Sequence, residues 1–145
     1  MAAIALLAAT LISRPLWMVG HHIALGTGYD RLIGGLQRHE CLAFEPTRSY
    51  DELSVTWLSW YYGWPLVLLA FAGLALIARS AIRSRDPRYL ILLTVIAAPS
   101  ALYLWRVSVT PDLVWAMRRF LPVTIPGFLL AATITLVALW SKTRW

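Results

Sequence analysis

The chain has 145 residues, of which 59% are hydrophobic and 14% charged, with eight tryptophans and a mean hydropathy of +0.65. That balance excludes an ordinary water-soluble domain. A net charge of +6 would suggest nucleic acid in a soluble protein, but the arginines flank apolar runs instead of forming one stripe, so lipid headgroups and not nucleic acid are the expected partner.

Charge is segregated along the chain. No charged residue occurs at 1–13, 53–78, 89–105 or 120–141. A bilayer core needs about 20 apolar residues per helix, with about 17 as the lower limit. The last three runs meet that requirement and the first does not, so it reads as the remnant of a first membrane helix, and Met1 as something other than a natural start. A signal peptide is disfavoured because Met1-Ala2-Ala3-Ile4 lacks a basic n-region. The expectation is an all-α, polytopic membrane protein of about four hydrophobic helices, divided as 1–13 (truncated helix), 14–56 (outer loop with short amphipathic helices), 57–78 (span), 79–88 (basic loop), 89–105 (span), 106–119 (outer loop with an interfacial helix), 120–140 (span) and 141–145 (tail).

In the loop at 14–56, four arginines face five acids. His21 and His22 are adjacent, so their side chains diverge and cannot chelate one metal from one face. Gly26-Thr27-Gly28 lacks the third glycine of a dinucleotide fingerprint, since Arg31 stands there. Leu32, Ile33 and Leu36 recur at helical spacing and predict a short amphipathic helix that Gly34-Gly35 weakens. Cys41, the single cysteine, excludes an internal disulfide and a CxxC-type metal site. Ser49-Tyr50-Asp51-Glu52 has the form of a capping box in which Glu52 reaches back to the cap; Asp51 then opposes the helix dipole, with a general base or metal ligand as its alternative use.

Trp57, Trp60, Tyr61, Tyr62 and Trp64 form an aromatic collar at headgroup level, and Pro65 is expected to bend the span below it. The connection at 79–88 holds Arg79, Arg83, Arg85 and Arg88 against Asp86. Short basic loops stay in the cytoplasm, which places both termini there and makes the protein a multi-pass component of the plasma membrane. Pro99 is expected to kink the next span. Thr110-Pro111-Asp112 carries a capping hydroxyl, a proline at the first helical position and an acid, and so predicts an interfacial helix from Pro111 to Phe120. That helix should break near Pro122, with Pro126-Gly127 a second irregular point.

On the interfacial helix Asp112, Trp115 and Arg119 share a face, beside Arg118. Arginine binds phosphate bidentately and an indole stacks on a sugar or a lipid tail; these four residues are the substrate-binding candidates. Snorkelling of Arg118 and Arg119 to anionic headgroups is the plainer alternative. No cofactor or metal pattern is present, and no catalytic residue can be assigned.

Ser13-Arg14-Pro15-Leu16, Leu36-Gln37-Arg38, Thr47-Arg48-Ser49-Tyr50 leading to Trp57-Leu58-Ser59-Trp60-Tyr61, and Pro111-Asp112-x-x-Trp115-Ala116-x-Arg118-Arg119-Phe120-x-Pro122 together resemble the C-terminal part of actinobacterial-type polytopic proteins of the GT-C glycosyltransferase superfamily. The resemblance implies transfer of a sugar from a polyprenyl-phosphate donor to an extracytoplasmic acceptor. It also implies that the catalytic carboxylate lies in a first outer loop upstream of this chain, which would then be inactive alone. A transport or assembly subunit and a plain structural membrane protein are the alternatives; the absence of charge within the spans argues against an ion or proton route.

Overall fold

The computed structural model describes residues 2–18, 27–48, 50–106, 120 and 122–143. Among them the fold is all-α, with six α-helices and no strand. In chain order these are α1 (Ala2–Trp17), α2 (Thr27–His39), α3 (Ser54–Tyr62), α4 (Trp64–Ser84), α5 (Pro87–Trp105) and α6 (Thr124–Thr143), with a 3-10 turn at Asp51–Leu53 before α3. α4, α5 and the segment Thr124–Lys142 of α6 are long and apolar enough to cross a membrane. α1, at 16 residues, spans about 24 Å at 1.5 Å per residue, short of a hydrocarbon thickness of about 30 Å.

Backbone chemistry sets the helix ends. Gly63, at φ 74° and ψ 152°, interrupts the helix between α3 and α4, so the aromatic collar stands on a separate short helix and the long span begins at Trp64 instead of 57. The collar is itself divided: Trp57 is buried, whereas Trp60, Tyr61 and Trp64 are exposed. Pro65 lies in the first turn of α4, where a missing N–H costs nothing, so it starts that helix instead of bending it. At the other end, α4 continues through Arg79 and Arg83 to Ser84, and the link to α5 contracts to Arg85 and Asp86. Arg85 takes the left-handed conformation, and the Asp86 carboxylate caps α5 by accepting from the Arg88 N–H at 2.9 Å. Pro99 lies inside α5, where it removes one backbone donor, and Pro126 falls in the first turn of α6.

The core is a seam between α4 and α6, flanked by α1 and α5. Val67, Ala70, Phe71 and Leu74 of α4 are buried with Phe128, Ala131 and Ala132 of α6, and the rings of Phe71 and Phe128 meet edge to face at 5.3 Å. Lipid is as apolar as leucine, so such helices are held by close packing and interhelical hydrogen bonds more than by hydrophobic transfer. Thr135 supplies one of these, its Oγ1 donating to the Leu69 carbonyl across the seam at 2.9 Å. Thr135→Val should therefore lower stability by about 0.6–1.7 kcal/mol, the range for such bonds in membranes, read from reversible unfolding in mixed micelles. An unchanged midpoint would mean that the bond contributes nothing net.

Candidate functional site

Among the described residues, a buried polar cluster forms at the end of the bundle where α5 finishes and α4 begins. The last carbonyls of any helix lack an intrahelical partner. At the end of α5 the orphan carbonyl of Leu104 is reached by two donors from elsewhere: Arg14 Nη1 at 2.7 Å and Ser54 Oγ at 2.7 Å. Arg14, near the end of α1, is fully buried. Its Nε donates to Met18 Sδ at 3.2 Å and its guanidinium lies 5.1 Å from the Trp105 ring centroid. Nη2 has no hydrogen-bond partner among the described residues.

A buried cation needs compensation, and two acids supply it. Asp51 and Glu52, on the 3-10 turn, are 2% and 1% exposed. Burial lowers the Arg14 pKa, and the charges of Asp51 and Glu52 act in the opposite direction; the guanidinium stays protonated at any physiological pH. Glu52 Oε1 accepts from Arg48 Nη2 at 2.8 Å. Burial would lower the Arg48 pKa, but the hydrogen bond and charge of Glu52 outweigh it and the net direction is upward. Among the described residues two guanidiniums and two carboxylates thus gather here, with Arg14 Nη2 and Glu52 Oε2 buried and without hydrogen-bond partners there.

A second layer fixes the loop that carries the acids. Buried Gln37 of α2 donates from Nε2 to the Glu45 carbonyl at 2.7 Å and to Tyr50 Oη at 2.9 Å, and its Oε1 accepts from the Glu45 N–H at 2.8 Å. The Arg48 guanidinium stacks 4.5 Å above the Tyr50 ring. Tyr50 itself takes φ 54° ahead of the turn, a left-handed conformation that costs a non-glycine residue about 1–2 kcal/mol and persists because its hydroxyl is bonded to Gln37 and its ring is stacked by Arg48.

Several expectations change here. Tyr50 occupies the cap position and its side chain does not cap the turn; Ser49 lies outside the described residues, and the Glu52 carboxylate serves Arg48. Asp51 does lie in the first turn, and there it is buried, with its charge acting on Arg14. In α2, Ile33 and Gln37 face inward while Leu32 is exposed. Asp112, Trp115, Arg118 and Arg119, with the interfacial helix proposed to carry them, lie outside the described residues, as do His21 and His22. Among the described residues no three His, Cys, Asp or Glu side chains converge as a metal site would require.

Arg14 and Gln37 stand in the motifs that carry the resemblance, but sequence reading gave neither a role. An arginine at the edge of an apolar run reads as a snorkelling residue, and only the excess of acids in the following loop hints that one of those arginines is a buried counter-charge. No protein-family model, curated protein or solved structure matches the sequence.

Proposed function

We propose that the chain is the membrane-embedded part of a GT-C-type glycosyltransferase that moves a sugar from a polyprenyl-phosphate donor to an acceptor outside the plasma membrane. The observation that carries this reading is the buried Arg14 guanidinium, held beside Trp105 with one nitrogen unpartnered. A fixed cation and an indole at the bundle end that carries Trp60, Tyr61 and Trp64 support this reading, in which that end meets lipid headgroups, the depth at which a carrier phosphate lies. In this reading the α4–α5 turn, with its arginines, faces the cytoplasm and the Arg14 cluster faces outward. Asp112, Trp115, Arg118 and Arg119 add the donor-phosphate and sugar contacts, and the catalytic carboxylate comes from a preceding outer loop.

The test is turnover of a polyprenyl-phosphate sugar by the complete protein carrying Arg118→Ala and Arg119→Ala. A charge-assisted contact contributes about 1.5–3 kcal/mol, so donor use should fall about 10- to 100-fold with normal expression. Unchanged turnover would remove both arginines from the donor site.

One observation favours a structural role instead. Arg14 and Ser54 spend bonds on the Leu104 carbonyl, an intramolecular helix cap, and Arg14 interacts electrostatically with the buried acids Asp51 and Glu52. A purely structural module would show stability losses on substitution there, with no turnover to lose.

A further inference from the structure

One face of α2 does not belong to the cluster. Arg31, Gly34, Gly35 and Arg38 follow one another at i, i+3, i+4 and i+7, the spacing of a single helix face, and they line a cleft of about 290 Å³ with Asp30 and Phe44. That volume is near the lower end of the about 300–1,000 Å³ range of small-molecule sites.

The two glycines are not equivalent. A Cβ on Gly34 would lie 2.8 Å from Phe44 Cε2, so the missing side chain lets the Phe44 ring approach the helix. A Cβ on Gly35 would meet nothing within 4 Å. Glycine inside a helix costs about 1 kcal/mol relative to alanine, and no neighbour among the described residues accounts for that cost at position 35. What Gly35 leaves is open space between two arginines about 10 Å apart along the axis, at 1.5 Å per residue. A solvated helix face explains Arg31 and Arg38 but not a glycine between them.

The lining defines a chemistry. Arg38 is already held, its guanidinium 4.6 Å from the Phe44 ring centroid, and so presents its N–H groups at low further entropic cost. Asp30 also lines the cleft, and a carboxylate is an acceptor suited to a hydroxyl. Two guanidiniums take an anion, a carboxylate takes hydroxyls, and the aromatic ring borders the C–H surface of a sugar.

We infer that this cleft binds an anionic saccharide, a sugar bearing phosphate or carboxylate, over the backbone of Gly35. The inference stands on the cleft alone: a transferase reading that fails at Arg118 and Arg119 leaves it untouched.

The test is calorimetric titration of the full chain in phosphatidylcholine nanodiscs with glucose 1-phosphate, glucuronate, glucose and inorganic phosphate. The expected result is saturable binding of at least one anionic sugar, at least about tenfold tighter than glucose and than inorganic phosphate. Gly35→Leu, which fills the cleft with a good helix former, should weaken that binding at least about tenfold. Gly35→Ala should leave it within about threefold and not lower the unfolding temperature. Arg31→Ala with Arg38→Ala provides a second variant should Gly35→Leu misfold, with a loss of at least about tenfold. No saturable binding of either anionic sugar, phosphate bound as tightly as the sugar phosphate, or binding indifferent to both Gly35→Leu and the arginine pair would each overturn the assignment.

Discussion

Gly73→Ala should destabilise the bundle by about 1–3 kcal/mol, the range for overpacking a closely fitted core, although alanine favours a helix by about 1 kcal/mol over glycine. A Cβ at position 73 would collide with the carbonyl oxygen of Ala131 and lie 2.9 Å from its Cα. The obstacle is backbone, so no rotamer change relieves it and α4 and α6 must separate by more than 1 Å. Separation would also stretch the Thr135 bond to Leu69, which crosses the same seam. Gly127, whose added Cβ would meet Ile96 Cγ2 at 2.6 Å, faces a side chain that can rotate, and Gly127→Ala should cost less. Reversible unfolding in mixed micelles, with Ala72→Leu on the exposed face of α4 as the control, separates packing from propensity. A Gly73→Ala protein as stable as the parent would show that the two backbones do not depend on this approach.

The membrane character and the three long helices were legible because charge segregation is a one-dimensional signal: runs without charge at 53–78, 89–105 and 120–141 overlap α4, α5 and α6. Their ends were less so. The run at 53–78 contains no charge to mark where α3 ends, and Gly63, which breaks it, is one glycine in an aromatic stretch. Arg79 and Arg83 read as loop because they are charged, but they extend α4. The polar cluster was hidden for a different reason. Its parts come from residues 14, 48, 51, 52, 54 and 104, and no local periodicity relates α1 to the end of α5. Tyr50 shows the same limit, since a left-handed cap held by Gln37 and Arg48 cannot be inferred from a motif that assigns the cap to its neighbour.

Arg14→Gln should cost about 3–5 kcal/mol, the loss found when one member of a buried charged set is removed. The glutamine can still donate to the Leu104 carbonyl, and Ser54 already does so, so the hydrogen bond is not the main term. The charge is: Asp51 and Glu52 remain at 2% and 1% exposure, and they lose a buried guanidinium with which both interact electrostatically. Arg14→Lys keeps that charge but loses the planar group that stacks on Trp105 and reaches Leu104 and Met18 together, so its loss should be intermediate. The decisive comparison adds Glu52→Gln. If charge balance governs, Arg14→Gln with Glu52→Gln should be more stable than the sum of the two single losses by about 0.5–3 kcal/mol, the coupling of residues in one network. Additive losses would mean that Arg14 acts by packing and as the cap of α5, and would leave its buried charge without a structural reason.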